Sequence, residues 1–402
     1  MLSHPLMPGL MLLAQIVSWR FLQSRLEKSL KYLAIFLYVV FNVAALPAFY
    51  YLYYSDSPPT TTAFLWDYVY RPAFIWELVH LCWLPVALLL TILGALFNLL
   101  KGQQPKGLSR LFKEDTNKSK LGDPRIVALG VMLALAAYGY YRQLEPPEIK
   151  EVAIEVPNLS PALQGYRIAL LSDLHYGTGL NLTELARAMA MVAAHGPDLV
   201  VLAGDLVDRR AAFGLDYRIP MLGLREVPNG VYAVLGNHDK KVDSVETLIT
   251  NLESTNLRIL QNRGVNLYGK PITLIGFDDT GQNDPFHTDT DFALDFGKVV
   301  GQAPRQGDLL IAVSHRPVGV NDAAAHGVRL FLAGHTHGGL VQAPWDPQLN
   351  VASLVIGYPH TTGLYKTSGL TLYVTNGLAG LTQARLFAWP EITILTLKNQ
   401  AE

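Results

Sequence analysis

Five short polar motifs in the second half of the chain contain residue types that bind metal ions. Each combines aspartate, asparagine or histidine with glycine or serine, and none contains a cysteine. In chain order they are 172–175 (SDLH), 204–208 (GDLVD), 236–239 (GNHD), 314–317 (SHRP) and 334–339 (GHTHGG). Oxygen and imidazole ligands without thiolate suit manganese, iron or zinc at a reaction centre better than a thiolate-rich structural zinc site. The motifs therefore predict metal-dependent chemistry.

The number of motifs favours two ions over one. Two divalent ions about 3.5 to 4 Å apart can clamp a phosphate group, but they need one shared carboxylate and several neutral ligands. The five motifs supply both kinds of ligand. A single Asp or His after a strand is more often a turn residue, so the prediction depends on all five occurring together.

Each motif directly follows a short run rich in Val, Ile and Leu, which predicts a strand. These runs are 167–171, 199–203, 231–235, 309–313 and 329–333. They alternate with segments of helical character, a pattern typical of an α/β fold. Open α/β sheets place their sites at the strand ends, so we expect the five motifs to meet at one edge. Gly204, Gly236 and Gly334 are expected where a strand turns sharply.

The ordered set D-x-H, GD-x-x-D, GNHD, H and GHTH resembles the calcineurin-like metallophosphoesterase superfamily over about residues 166–398. The ending NGLAG…R…PEITILTL, at 376–397, is most similar to its bacterial membrane-bound branch. The resemblance implies an α/β fold with two packed sheets flanked by helices (αββα), here within a metallophosphoesterase domain at 150–402.

The resemblance also implies roles for individual residues. Seven of them would bind two divalent metal ions, of manganese, zinc or iron: Asp173, His175, Asp205, Asn237, His315, His335 and His337. Asp205 would bridge the two ions. His238 would not bind metal; as the catalytic residue it would face the phosphoryl group, stabilising charge or protonating the leaving oxygen.

Other polar residues near the motifs are expected to support the site or to contact the substrate. Asp208 and Asp239 are predicted to orient ligands or shape turns rather than to bind metal. Arg316 and Arg385 are candidates to grip a phosphate, although an arginine on a loop is usually only solvated. The segment 358–362, which includes His360, follows the GHTH motif and could line the rim of the site.

The implied reaction is hydrolysis of a phosphomonoester, phosphodiester or pyrophosphate by a hydroxide that bridges the two ions. The alternative is a membrane sensor or scaffold whose metal domain recognises a partner without turnover. A missing ligand, or loss of His238, would favour that alternative, and neither is missing. The sequence thus favours an enzyme but does not name its substrate.

The first 144 residues differ in composition from the rest. The whole chain is 50% hydrophobic and 16% charged, with a mean hydropathy of +0.21, which is too apolar for an ordinary soluble enzyme. Basic residues exceed acidic ones only up to residue 145, and the remainder is acidic, so no nucleic-acid-binding surface is expected. The only cysteine, Cys82, lies in an apolar run and permits no intramolecular disulfide.

Four apolar runs predict a four-helix transmembrane region at 1–144, with spans of about 2–19, 32–54, 76–100 and 126–144. The loops before the second and fourth runs hold four and seven Lys or Arg, against one in the loop between the second and third. Short cationic loops lie in the cytoplasm. The prediction is a multi-pass protein integral to the cytoplasmic membrane, with its catalytic domain on the extracytoplasmic side.

A short tether links the fourth run to the domain and would hold the site near the lipid headgroups. Only about ten residues, at most ~35 Å when extended, separate residue 141 from the start of the domain. The expected partners are therefore membrane lipids and a phosphorylated, lipid-linked substrate. Alternatively, the extra helices are inherited packaging or an oligomerisation surface.

Overall fold

The computed structural model describes residues 124–143, 145–208, 210–279, 296–304, 309–367, 369–379 and 385–400, with scattered helical residues between 39 and 100. The chain divides into two compact units, Met1–Tyr141 and Arg142–Glu402. All five polar motifs belong to the second unit.

Helix α1, Pro124–Gln143, covers most of the fourth predicted span. Within the described ranges, no helix is both long enough and apolar enough to cross a bilayer. The uncharged part of α1, at 126–141, is shorter than the roughly 20 residues that a span needs. Arg142 at its end pairs with Glu145 and with Glu148, the latter at 2.6 Å. The prediction that 126–144 spans is thus not supported. Most of the runs 2–19, 32–54 and 76–100 lies outside the described residues, which in these runs are position 39 and a few helical residues between 76 and 100, including 86–90.

The second unit is built mainly from β-strands. In chain order the described strands are β1 Glu148–Val156, β2 Arg167–Leu171, β3 Leu199–Ala203, β4 Val231–Val234, β5 Leu257–Ile259, β6 Arg263–Asn266, β7 Ile272–Phe277, β8 Leu309–Ser314, β9 Leu330–Ala333, β10 Gln342–Ala343, β11 Asp346–Asn350, β12 Gly363–Thr367, β13 Leu370–Val374 and β14 Glu391–Asn399. The strands β2, β3, β4, β8 and β9 match the five predicted runs to within one residue at each end.

Two six-stranded sheets contain twelve of these strands. Sheet one has the order β1-β14-β2-β3-β4-β5 and is parallel except where β14 meets β2. Sheet two has the order β12-β13-β9-β8-β7-β6, with antiparallel pairs only at its two edges. The strands that precede the motifs are therefore neighbours within each sheet, and their carboxyl ends point the same way.

Helices cover the outer faces of both sheets. The described ones are α2 Leu182–Ala194, α3 Val245–Glu253, α4 Phe296–Gln302 and α5 Val320–Ala325. The first two pack on sheet one through residues such as Met189 and Leu252, and the last two pack on sheet two through Val300 and Ala323. A third apolar cluster fills the space between the sheets. This confirms the predicted α/β fold with two packed sheets flanked by helices.

Candidate metal centre

The five motif loops meet where the ends of β2, β3 and β4 approach the ends of β8 and β9. In sheet one, the Asp173 amide donates to the Gly204 carbonyl at 3.0 Å. In sheet two, the Gly334 amide donates to the His315 carbonyl at 2.9 Å. Between the sheets, the His335 amide donates to Asp173 Oδ2 at 3.0 Å. The motifs thus share one edge, as predicted, although they come from two different sheets.

Five of the seven predicted ligands have left-handed backbone conformations. Their φ angles are 54° at Asp173, 44° at His175, 53° at Asp205, 72° at His335 and 50° at His337. For residues other than glycine this conformation costs on the order of 1 kcal/mol or more each. Such strain persists only where the surrounding structure enforces it, and it concentrates at functional sites.

Two motif glycines are required by close approach. A Cβ on Gly236 would lie 2.2 Å from Asp205 Oδ1, and a Cβ on Gly334 would lie 1.8 Å from Ser172 Oγ. Both distances are far below a van der Waals contact. The sequence predicted that all three glycines allow a sharp turn. Gly204 does have a positive φ of 83°. Gly236 and Gly334, however, are needed because they make room for neighbouring site residues.

Three predicted ligand atoms surround one point. Asp173 Oδ1 lies 3.9 Å from His175 Nε2 and 3.7 Å from His337 Nε2, and the three side chains form a group with metal-ligand spacing. Two ligands that each lie about 2.1 Å from one ion can be up to ~4.2 Å apart. These separations are too long for hydrogen bonds but fit joint coordination.

A second group of predicted ligands lies beside the first. It contains Asp205, whose carboxylate also faces the first group. Asp205 Oδ2 is 3.2 Å from His315 Nε2, and that nitrogen is 3.1 Å from His335 Nδ1. The same carboxylate oxygen is 3.6 Å from His175 Nε2 in the first group. The carboxylate of Asp205 therefore faces both groups, as a bridging ligand must.

Three buried polar atoms of the site have no hydrogen-bond partner among the described residues. They are Asp173 Oδ1, His175 Nε2 and Asn237 Oδ1. Buried polar atoms are nearly always bonded, so each exception needs an explanation. All three belong to predicted ligands, and all three can donate a lone pair to a cation. The donor set therefore fits divalent metal binding.

Carbonyl and carboxylate groups behind the site orient the histidines. His315 Nδ1 donates to the Ala203 carbonyl and His337 Nδ1 contacts the Ala379 carbonyl, both at 2.8 Å. A proton on Nδ1 leaves Nε2 with a free lone pair that points into the site. This arrangement is typical of metal-binding histidines, whose second nitrogen usually donates to a protein oxygen.

The site has an excess of negative charge that favours cations. Burial disfavours a charged imidazole, but nearby carboxylates outweigh it and raise the pKa of His175 to about 9 and that of His315 to about 10. Although burial opposes it, the neighbouring histidines, His315 foremost, hold the pKa of Asp205 well below its usual range. Burial together with Arg385 lowers the pKa of His337 to about 3, which keeps that ring neutral despite Asp173. A divalent cation would satisfy the carboxylates in place of the protons.

Comparisons with known proteins agree with this geometry. The calcineurin-like phosphoesterase family model matches residues 166–339. An uncharacterized metallophosphoesterase of Helicobacter pylori (strain 26695) is 33% identical over 284 residues, which cover 68% of this chain and 71% of that protein. The chain belongs to the calcineurin-like phosphoesterase family.

Other relatives resemble this phosphoesterase over a similar length. The uncharacterized metallophosphoesterase YkuE of Bacillus subtilis is 28% identical over 283 residues, covering 68% of this chain and 94% of YkuE. A Danio rerio protein named transmembrane protein with metallophosphoesterase domain is 30% identical over 287 residues, covering 68% of this chain but only 62% of that protein. The match therefore spans less than two thirds of the Danio rerio relative.

His238 lies at the rim of the metal centre of this phosphoesterase. Its amide donates to Asp205 Oδ1 at 2.8 Å, and its Nδ1 lies 2.7 Å from Asp208 Oδ1. The ring is partly exposed, at 20% of its side chain, and stands edge-on to His175 with centroids 4.8 Å apart. It is thus the site histidine positioned to meet a ligand arriving from solvent.

The two remaining aspartates of the motifs are placed behind the site. Asp208 Oδ1 also lies 3.3 Å from His175 Nδ1, so that one oxygen orients two histidines. Asp239 is fully buried and accepts hydrogen bonds from the amides of Leu206, Val207 and Gly236. It joins the loop after β3 to the loop after β4. Both aspartates orient or shape the site, as the sequence suggested.

The two arginines that are candidates to grip a phosphate are buried and form hydrogen bonds within the protein. Arg316 Nε donates to Asp279 Oδ2 at 2.7 Å. Arg385 Nη1 donates to the carbonyls of Asn376 and Gly377 at 2.9 and 3.0 Å, and its Nη2 contacts the Ala379 carbonyl. Each side chain is about 2% exposed. The structure therefore gives Arg385 a role in holding the loop at 376–379.

That loop belongs to the site, although no role was predicted for it. The Leu378 amide donates to the Ser172 carbonyl and the Ala379 amide to the Asp173 carbonyl, at 2.9 and 2.8 Å. The loop thus covers the first motif and also orients His337. The only signal for it was the glycine-rich NGLAG segment. The segment 358–362 also reaches the site, where Tyr358 Oη lies 3.4 Å from His335 Nε2.

Proposed function

We propose that this chain is a metal-dependent phosphoesterase that uses two divalent ions to hydrolyse a phosphomonoester, phosphodiester or pyrophosphate. The observation that carries the proposal is the set of buried, unbonded ligand atoms on Asp173, His175 and Asn237, together with the Asp205 carboxylate, which faces two groups of ligands. A purely structural site would have satisfied these atoms with protein hydrogen bonds.

The proposed ligands divide between two ions that share Asp205. One ion would be held by Asp173, His175, Asp205 and His337, and the other by Asp205, Asn237, His315 and His335. Bound divalent ions of this type polarise phosphoryl oxygens and lower the pKa of water. The protein itself supplies the orientation, because carbonyl and carboxylate groups fix the histidine rings.

His238 is the proposed acid and charge-stabilising donor. Its Nδ1 is engaged by Asp208 at 2.7 Å, which leaves Nε2 as the ring atom that can hold or transfer a proton. A positioned histidine of this kind commonly protonates a leaving oxygen or stabilises developing charge. His238 needs no bond to metal for this role.

Metal analysis of purified full-length protein tests the proposal. The expected content is two ions per chain, and Asp205→Ala should lower both occupancies because this carboxylate contacts each ligand group. Asp322→Ala is the matched control, since it removes a half-exposed carboxylate on α5 and should retain both ions. Saturation of the wild type at one ion would contradict the bridging assignment.

Turnover of p-nitrophenyl phosphate and bis(p-nitrophenyl) phosphate separates the enzyme from the sensor or scaffold. The enzyme should hydrolyse at least one of these esters, and Asp205→Ala should not. A protein that binds two ions but hydrolyses neither these esters nor lipid-linked phosphates would favour a binding role.

Membrane attachment and a lipid-linked substrate are the finer parts of the proposal. They are supported by the apolar runs at 32–54 and 76–100 and by relatives named transmembrane proteins. A periplasmic or cytoplasmic reporter fused after Glu402 identifies the side of the membrane. Because the cationic loop before the fourth run is predicted to be cytoplasmic, an extracytoplasmic domain requires that 126–144 crosses the membrane. Activity only in the cytoplasm would reverse the predicted topology.

A further inference from the structure

The segment 341–354 exposes an unusual number of large apolar side chains. It comprises the hairpin β10–β11 and the start of the helical turn Ala352–Ile356. Trp345 lies at the hairpin turn and is 79% exposed, and Leu354 is 69% exposed. Val341, Leu349 and Val351 are also exposed. We call this segment the apolar hairpin.

The polar side chains of the apolar hairpin form hydrogen bonds within the protein. Gln342 Nε2 donates to the Gly338 carbonyl at 2.9 Å. Asn350, which is buried, donates to the Pro347 carbonyl and to Thr361 Oγ1. The remaining polar side chains, which also have partners, are Asp346, Gln348 and Ser353. The outer surface of the hairpin is therefore mainly apolar and carries a single charged residue, Asp346.

The apolar hairpin is held firmly beside the metal centre. The Leu340 amide donates to the His337 carbonyl, and Val341 bridges to Leu386 and Phe387. The Val351 amide donates to the Val341 carbonyl and closes the segment on itself. A Cβ on Gly339 would lie 2.0 Å from Asn350 Oδ1, so the hairpin is packed directly against the metal-binding motif. Hydrogen bonds and packing therefore hold the hairpin in a conformation that exposes its apolar side chains.

We propose that the apolar hairpin inserts into the headgroup and upper acyl region of a lipid bilayer and so brings the metal centre to membrane phosphates. Tryptophan prefers this interfacial region, and leucine and valine gain from burial among acyl chains. An exposed apolar patch of this kind marks an interaction surface. The inference deepens the proposed function because it names the location of the substrate. The kinetic test of the inference rests on the proposed function.

The chemistry favours a bilayer over a protein partner. Protein interfaces use about one hydrogen bond per 100–200 Å², but the polar side chains of the hairpin are already engaged internally. Lipid acyl chains, in contrast, require that polar groups be satisfied within the protein. Most polar side chains of the hairpin meet this requirement through hydrogen bonds within the protein.

Site-specific fluorescence in the full-length protein tests the insertion directly. In a Cys82→Ser background, Trp345→Cys would be labelled with an environment-sensitive nitrobenzoxadiazole probe and reconstituted into phosphatidylethanolamine–phosphatidylglycerol vesicles. The expected result is a blue-shifted emission that spin-labelled lipids quench and iodide does not. Tyr268→Cys is the matched control, because Tyr268 is 94% exposed at a turn of the same unit, and its probe should remain accessible to iodide.

Each other result would overturn the proposal. A probe at position 345 that is as accessible to iodide as the control lies in water. A blue shift that depends on protein concentration, without quenching by lipid, indicates docking of a second copy. This measurement needs no turnover, so it remains decisive even if the proposed hydrolysis is wrong.

A kinetic comparison tests the functional consequence. The double variant Trp345→Gln with Leu354→Gln should lower kcat/KM for a phosphatidyl phosphomonoester in vesicles by roughly tenfold or more, through weaker interfacial binding. Its activity on bis(p-nitrophenyl) phosphate should be unchanged. Equal losses on both substrates would show that the hairpin only supports the site, and no loss on either would show that it has no substrate role.

Discussion

One oxygen of Asp208 contacts two histidines with different proposed tasks. It lies 3.3 Å from Nδ1 of His175, a proposed metal ligand, and 2.7 Å from Nδ1 of His238, the proposed acid. Despite burial, these two histidines hold the pKa of Asp208 far below its usual range. The carboxylate is therefore a stable acceptor that aligns both rings.

We predict that His238→Ala keeps its metal content but lowers kcat by about 10²-fold or more, the usual contribution of a positioned acid or charge-stabilising donor. Metal analysis and turnover of an activated phosphodiester measure the two effects. His195→Ala is the control, because His195 is a partly buried residue at the C-terminal end of α2 whose Nδ1 bonds to the Met191 carbonyl, outside the five motifs. Wild-type kcat in His238→Ala would make this residue a spectator.

We predict that Arg385→Lys lowers both thermal stability and metal affinity. A lysine ammonium cannot match the planar fork that bonds three carbonyls of the loop at 376–379. Each buried carbonyl left without a donor costs about 1–3 kcal/mol, and the loop also holds His337. Arg167→Lys, at a partly exposed pair with Glu151, is the control. Calorimetric metal titration and melting curves provide the measurements. Unchanged metal affinity and melting temperature in Arg385→Lys would show that Arg385 does not hold this loop in place.

At the residue scale, the types and order of the motif residues predict that their side chains lie together, and the structure groups five of the predicted ligands: Asp173, His175, Asp205, His315 and His337. They could not predict which histidine nitrogen faces the site, because this depends on carbonyls from distant segments. The Ala203 carbonyl turns His315, and the Ala379 carbonyl turns His337. The same limit applies to Arg316 and Arg385, because their contacts depend on burial and on hydrogen-bond partners that the residue type does not reveal.

At the scale of elements, short loops between strand and helix carry the whole site. Helix α2 begins soon after the first motif, where Asn181 and Glu184 form reciprocal hydrogen bonds that cap its first turn. The five apolar runs predicted the strands well because parallel strands buried on both faces are continuously hydrophobic. The role of the loop at 376–379 was not predictable, because it depends on contacts with a strand end some 200 residues earlier in the chain.

We predict that Gly236→Ala abolishes binding of both ions. The added methyl would overlap Asp205, whose Oδ1 would be 2.2 Å away, and would displace the shared carboxylate. Gly301→Ala is the matched control, because Gly301 lies in α4 with open space around it and alanine should stabilise the helix by roughly 0.5–1 kcal/mol. Metal content decides the outcome: if Gly236→Ala retains two ions, Asp205 is not the bridge.

At the scale of the whole molecule, metal binding and folding should be coupled. A ligand that binds only the folded state stabilises it by about 2.7 kcal/mol when present at 100 times its Kd. The unbonded ligand atoms and the left-handed backbone of five ligand residues indicate a centre that is strained without ions. The second unit should therefore be markedly less stable after chelation.

We predict that a chelator lowers the melting temperature of the second unit by several degrees, and that added manganese or zinc restores it. Asp205→Ala should melt at the same temperature with and without chelator, because it no longer binds the ions. Scanning calorimetry of full-length protein measures both. If the chelator does not change the melting temperature of the wild type, the ions do not stabilise the fold.

The position of β14 between β1 and β2 has a consequence for biosynthesis. This strand, Glu391–Asn399, is made after every other described strand, yet it separates β1 and β2, the first two of them to be made. At 5–20 residues per second the ribosome needs roughly 10 to 50 s to travel from β1 to β14. During that time one edge of β2 has no strand to pair with, and the loop at 376–379 is not yet in place over the first motif. A nascent chain stalled before residue 391 should therefore remain sensitive to protease across sheet one, and the complete centre should form only after β14 has been synthesised.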